Sequence, residues 1–409
     1  MRHVQRRARR AGAALAAVLT WAGLLAGAVG CDADPTGGID VGGLFGKPPA
    51  AEDVIRISPG DATKGVRTQD PLRIRVTSGR LESVKVVKSQ DAQRTPVPGR
   101  VSSDGLRWEP GEKLALAAEY TVDVVASDEG GHRSARHATF TTYVPPERFI
   151  GYVTPENRST VGTGMIVSVA FSREIENRAA VERAVRVTAK PAVEIRPHWF
   201  GKDRLDFRPR DYWKPGTQVT VEVRLRDVEG ARGVYGLQYR TTSFTIGRSQ
   251  VSLVDAAKHT MQVRRDGQLL ATVPITAGAP KTTTYNGKMV VLEMLDVTRM
   301  NGSTVGFGGE YDIPDVPHAM RLTDSGTFLH GNYWSPDAPG SVNVSHGCVG
   351  LRDVKGGSPD TPAGWFYDRS LIGDVIEVVH SNDKTVSPGN GLGGWNMGWK
   401  EWKAGGADK

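Results

Sequence analysis

The five residues LRWEP at 106–110 return as LDFRP at 205–209, 99 positions later. In both copies a leucine and an aromatic stand two apart, separated by a charged residue, and a proline closes the run. Apolar side chains at every second position put one face of an extended chain against a core, and the proline ends the strand. The same offset relates Tyr120-Thr121-Val122 to Val219-Thr220-Val221. One offset shared by two separate segments marks a tandem repeat of a single β unit of roughly 100 residues.

Working outward, the first copy covers residues 53–146. It carries short alternating runs (VIRI, LRIRV, SVKVV, YTVDVV, ATFTTY) separated by turn-forming stretches such as SPGD and DEGG. Period-two alternation with a turn every few residues predicts a β-sandwich. The second copy covers 147–247. Neither copy clusters His, Asp or Cys, and His132, His137 and His198 stand alone.

The texture changes at about residue 248. Asp266-Gly267 and Asn286-Gly287 are hairpin signals. GTFLHG (326–331) reads as a strand, TPAGWFYDRS (361–370) as one short helix, and DVIEVVH (374–380) as a closing strand. Residues 248–381 therefore form a third domain, mostly β. In the tail, residues 382–409, Trp395, Trp399 and Trp402 fall at i, i+4 and i+7, one face of a helix expected to pack back onto the body.

Ahead of the sandwiches, residues 1–31 have a basic start, an apolar run from Ala11 to Gly30, then Cys31. That is the layout of an export signal. The end, AVGC, resembles a lipobox with Ala28 three before the cysteine, so a lipid on Cys31 is one reading. Ordinary cleavage or an uncleaved anchor are the others. Residues 32–52, rich in Gly, Pro and Asp, read as a tether. All these readings put the chain outside the cell, in the envelope at the outer face of the cytoplasmic membrane.

The formal charge is +7, but five arginines lie in residues 1–30, and without them +2 remains. No basic run argues for nucleic acid. With 49 Gly and 24 Pro among 409 residues, turn-rich β domains are favoured over helical bundles.

The chemistry concentrates in HGNYWSPDAPGSVNVSHGCVGLR, residues 330–352, which holds one of only two cysteines. His330, His346 and Cys348 could ligate zinc, but Cys-x-x-Cys and His-Glu-x-x-His are absent, so no metal or cofactor is expected. A buried inert thiol is the plain alternative. The nucleophile reading needs a base, because a thiol of pKa about 8.5 is scarcely ionised at neutral pH. His330, at the end of the GTFLHG strand, can supply it, and a backbone carbonyl such as that of Gly331 can orient the imidazole. Gly347 frees the backbone, so the N–H groups of Gly347 and Cys348 could form an oxyanion hole, each donor contributing about 2.7–4 kcal/mol in acyl transfer. These residues point to a cysteine acyltransferase or hydrolase.

His330-Gly331, a spacer, then Ser345-His346-Gly347-Cys348-Val349 resembles the signature of L,D-transpeptidases with a YkuD-type catalytic domain. The resemblance covers the third domain and tail, and the upstream sandwiches look like the tandem immunoglobulin-like domains of actinobacterial members. It implies a mainly β chain: two tandem immunoglobulin-like β-sandwiches followed by a YkuD-type β-rich domain with one short helix. It implies Cys348 as nucleophile, His330 as general base, the Gly331 carbonyl as its orienter, and His346 and Gly347 at the oxyanion site. Tyr311, Met300, Trp334 and Ser345 would line the donor pocket. The partners implied are peptidoglycan stem peptides, with the membrane reached through the N-terminal lipid. The activity implied is 3→3 cross-linking through a thioacyl-enzyme; an L,D-carboxypeptidase or a non-catalytic envelope scaffold are the alternatives. One position departs: the second residue after the cysteine is Gly350, where Asn or Arg is usual, and Arg352 would have to stand in.

Overall fold

The structure, a computed structural model, describes residues 50–407 except 91, 305 and 307. Cys31, the export signal and most of the tether lie outside the described residues.

The chain is mainly β. The first sandwich pairs a four-stranded sheet (in order Ile55–Ser58, Arg73–Val76, Arg107–Pro110, Gly99–Val101) with a five-stranded one (Thr63–Val66, Arg133–Thr142, Glu119–Ser127, Arg80–Gln90, Gln93–Pro96). The second repeats that order: Gly151–Thr154, Val167–Phe171, Arg204–Pro209 and Ile195–Phe200 in one sheet, Thr160–Val161, Tyr239–Ile246, Gln218–Arg224 and Val185–Lys190 in the other. In both copies the first strand of the second sheet joins its neighbour in parallel, against the antiparallel rule elsewhere in that sheet. The LRWEP and LDFRP strands take the same third place, and Trp108 and Phe207 are both buried. Each sandwich has its own core, packed from the inward residues of alternating strands.

The third domain is built on nine strands. In sheet order they are Gly287–Val290, Val375–Val379, Gln250–Asp255, Thr260–Arg265, Gln268–Thr276, Val349–Arg352, Phe328–Asn332, Asp312–Arg321 and Glu293–Asn301. Asp266 and Gly267, both at positive φ, turn the hairpin between the fourth and fifth of these. The helix Pro362–Tyr367 starts where Thr361 accepts the N–H of Gly364 and proline occupies the first turn. At Asn286-Gly287 the structure differs from the expected hairpin. Gly287–Val290 pairs with Val375–Val379 instead. Asn286 is used as a staple, its amide donating to the Asp383 carbonyl at 2.6 Å and accepting from Ser381 N–H.

The tail covers the second sandwich and touches the third domain. Trp395 donates to the Gly164 carbonyl at 2.7 Å and Trp402 to that of Arg196 at 2.9 Å. The guanidinium of buried Arg208 stands 4.4 Å from the Trp402 ring and 4.7 Å from Trp395. Asn396 bonds both the N–H and the carbonyl of Lys288. The three tryptophans do not share one helix: Trp395 sits on a 3-10 turn, Gly393–Asn396, and Trp399 opens a separate helix, Trp399–Ala404. Gly398, between them, breaks the run.

Candidate active site

The strands Phe328–Asn332 and Val349–Arg352 lie side by side in parallel, with His330 opposite Gly350 and Leu329 opposite Val349. Side chains alternate between faces along a strand. His330, Asn332 and Gly350 therefore share one face, while Leu329, Val349 and Leu351 are buried in the domain core. Cys348 stands one residue ahead of its strand, on the His330 side. The Phe328 N–H reaches its sulfur at 3.4 Å.

His330 and Cys348 open onto one cavity of about 290 Å³. Met300, Tyr311, Trp334, Ser345 and His346 line it too. So do Thr276, Ile313, Asn332, Ser335 and Val344, which sequence reading did not single out. They come from strands and loops up to 68 residues apart, from Thr276 to Val344, and only the sheet order brings them together. Arg352 is exposed, opposite Asn332 in the register, and is not among the lining residues. It lies outside this cavity, where the resemblance implied it would stand in for the residue replaced by Gly350.

His330 is buried, and its Nδ1 lies 3.0 Å from the Gly331 carbonyl. A carbonyl only accepts, so Nδ1 carries the hydrogen and Nε2 keeps its lone pair. Burial holds the imidazole below its ordinary pKa, so it rests neutral. Trp334 stacks on it at 5.5 Å, and Tyr333 meets Trp334 edge-on. Asn332 sets that stack. Its carbonyl oxygen accepts the Ser335 N–H at 3.0 Å and its amide donates to the Ser335 carbonyl, closing the turn that carries Trp334. Behind the base, Gly331 presses on buried Asp353: a Cβ at 331 would come 2.1 Å from the carboxylate. Asp353 is held by His318, Thr361 and the N–H groups of Val354 and Ser358.

The Cys348 thiol is pushed up to about 11 by burial, against a smaller opposing pull from the Phe328 N–H. It donates toward the Gly326 carbonyl at 3.7 Å. The resting pair is thus neutral thiol and neutral imidazole. Gly347 takes a φ of +110°, a conformation that favours glycine, as the backbone turns toward the thiol. Ser345 fastens this turn, donating to the Cys348 carbonyl at 2.6 Å and accepting the Gly347 N–H at 3.2 Å. One of the two N–H groups expected at the oxyanion site is therefore engaged by a hydroxyl. His346 stands on the cavity wall, its Nε2 3.1 Å from Glu310 and its ring 4.9 Å from Tyr311. Among the described residues no group of three or more His, Cys, Asp or Glu gathers as metal ligands.

Gly350 has a local cause. A Cβ there would meet the Thr276 methyl at 2.8 Å and the Asn332 Cβ at 3.4 Å. Thr276, paired with Gly350 from the strand on the other side, takes the space a side chain at 350 would need, with Asn332 in contact beside it.

Comparison with known proteins agrees with this construction. Residues 249–378 match the YkuD L,D-transpeptidase catalytic domain, and residues 63–229 match a bacterial Ig domain. The chain is 33% identical to L,D-transpeptidase 2 of Mycobacterium tuberculosis over 352 residues, 85% of this chain and 83% of that protein. It is 28% identical to L,D-transpeptidase 5 of the same species, over 87% of this chain and 77% of that one. Among solved structures, that of the LD transpeptidase LdtMt1 in complex with imipenem aligns over 56% of this chain and 97% of its own, at 30% identity and a TM-score of 0.48. With a relative 33% identical over 85% of this chain and 83% of its own length, this chain belongs to the L,D-transpeptidase family.

Proposed function

We propose that the chain is an envelope L,D-transpeptidase that forms 3→3 cross-links between peptidoglycan stems through a thioacyl-enzyme on Cys348. The observation that carries this reading is the shared cavity of Cys348 and His330, with His330 Nδ1 spent on the Gly331 carbonyl. That bond leaves Nε2 as the free base on the cavity side.

The thiol turns from Gly326 and gives its proton to Nε2 as sulfur attacks the carbonyl of the L-centred third residue of a stem tetrapeptide. Charge collects on the carbonyl oxygen, where the Cys348 N–H is the first donor; the Gly347 N–H joins it when its bond to Ser345 yields. Collapse breaks the amide bond, and the terminal D-Ala amine leaves with the proton from His330. A thioester remains. The side-chain amine of a second stem attacks it, gives its proton to His330, and restores the thiol as the new amide forms. Because thiol and imidazole rest neutral, thiolate forms only as the imidazole takes the proton, with substrate excluding water. Trp334 and Tyr311 wall the donor pocket. Lipidation of Cys31 would hold the enzyme at the outer face of the membrane.

By the same chemistry a carbapenem acylates Cys348. Intact-mass spectrometry after incubation with meropenem is the test. We expect one adduct on the parent and none on Cys348→Ala. An unmodified parent, or an adduct that persists in the variant, overturns the reading. Muropeptide analysis with a defined tetrapeptide then tells dimer formation from simple loss of D-Ala to water.

A further inference from the structure

The first sandwich presents arginines in a cross-strand row. Arg56 lies directly opposite Arg75, and Arg75 directly opposite Arg107, on three neighbouring strands. All three are exposed. Adjacent strands are only about 4.8 Å apart, and like charges set directly opposite destabilise a sheet. Arg107 shares Asp104 at 3.4 Å. Arg56, Arg73 and Arg75 form no ion pair among the described residues. Within the row only Arg107 has a carboxylate partner; Arg56 and Arg75 face each other without one among the described residues.

Beside it is a groove of about 620 Å³ walled by Arg73, Arg75 and Arg107 over Leu72 and Trp108. Its two carboxylates are engaged from outside: Glu109 by Arg100 at 3.5 Å and Glu112 by Lys88 at 3.3 Å. What remains is a concave surface with an apolar floor and two guanidinium forks, those of Arg73 and Arg75, without an ion-pair partner among the described residues. Such forks match planar oxyanions in a bidentate way. A concavity of this size takes the end of a peptide; a bilayer surface would need a flat or convex face.

We propose that this groove is a second, non-catalytic site that holds peptidoglycan stems by their C-terminal carboxylates. The identity of the polymer rests on the function proposed above; the anion-binding chemistry does not. Every uncrosslinked stem ends in a carboxylate, so the polymer offers many equivalent anchors. Binding one raises the effective concentration of neighbouring stems at Cys348.

The test uses the full chain with Cys348→Ala, so that binding is read without turnover. Retention on purified sacculi is compared with that of the same chain carrying Arg73→Gln, Arg75→Gln and Arg107→Gln. The substitutions should weaken retention at least tenfold, and replacing the three arginines by lysine should recover only part of it. Sacculi whose carboxylates are methyl-esterified should hold the parent no better than untreated sacculi hold the glutamine variant. With Cys348 intact, the glutamine substitutions should leave kcat/KM on a soluble disaccharide-tetrapeptide within twofold. Undiminished retention of the variant overturns the proposal. So does equal retention on esterified sacculi, or a loss confined to binding of phosphatidylglycerol vesicles. Should the triple variant melt early, Arg75→Gln alone should still weaken retention about threefold, and no change there counts against the proposal. Arginine-dependent retention by a chain that meropenem does not acylate would keep this inference and sink the catalytic reading; an acylated chain with arginine-independent retention does the reverse.

Discussion

At the scale of single residues, one cause sets both halves of the proposed catalytic pair. Burial keeps the imidazole of His330 neutral and the thiol of Cys348 protonated. The sign for the base follows. Its folded pKa lies below the ordinary 6.5, so kcat/KM should hold at pH 6.5 and fall only as pH drops through that lowered value. Burial also makes folding resist protonation, so the contribution of His330 to stability is full above 6.5 and declines below it. For the thiol, alkylation by iodoacetamide should climb with pH toward about 11. A thiol that titrates well below the ordinary 8.5, under neutral pH, would mean a standing thiolate–imidazolium pair and a different first step. Replacing His330 by Ala should lower the rate of acylation by meropenem by about 10³-fold or more, as loss of a general base does in enzymes with an activated nucleophile.

At the scale of elements, the site depends on two adjacent parallel strands and on two glycines that let neighbours close in. Gly331→Ala would drive a methyl into Asp353, the carboxylate that holds the Val354–Thr361 turn behind the base. We expect a loss of about 3 kcal/mol or more, read as a lower urea midpoint, because the obstructing atoms are themselves pinned by hydrogen bonds. Gly350→Asn should be milder on folding, about 1–3 kcal/mol, since the obstructing atom is the tip of Thr276. Its larger effect should fall on the turn that Asn332 closes and hence on the Trp334 stack. Asn332→Ala should then raise the pH at which activity is lost, because an unstacked His330 regains solvent and a more ordinary pKa. An unchanged pH profile in Asn332→Ala would show that the stack does not tune the base.

At the scale of the molecule, the second sandwich and the catalytic domain are joined by more than the linker. Arg248, where the chain leaves the second sandwich, is anchored to the catalytic domain by a two-point ion pair with buried Asp374 at 2.6 and 2.9 Å. The backbone N–H groups of Gly162 and Gly164 donate to the carbonyls of Ile372 and Gly373. The tail adds a third tie, through Trp395, Trp402 and the Arg208 guanidinium between them. Trp402, with no exposed surface, should carry the most energy in that tie. Trp402→Ala should destabilise the chain by about 3–5 kcal/mol. In calorimetry the second sandwich and the catalytic domain should separate into two transitions in that variant, where the parent melts them together. A parent that already melts them separately would show that these contacts do not couple the two.

Local chemistry carried much of this in the chain itself. Alternation and turn residues predict β-sandwiches because burial on one face demands period two, and the 99-residue offset reads as a repeat because two copies of one fold need the same inward residues. The proposed nucleophile, the proposed base and the turn between them sit within 19 residues, so residue types and spacing were enough to single them out. Three things were decided only by tertiary structure. The hairpin at Asn286-Gly287 gave way to long-range pairing, because a turn dipeptide states a local preference and a partner strand from residue 375 onward offered more hydrogen bonds. Gly350 makes sense only beside Thr276 and Asn332, which reach it from other strands. The arginine row is invisible in the sequence of the first sandwich, which has no basic run: Arg56, Arg75 and Arg107 are far apart along the chain, and strand register alone sets them face to face.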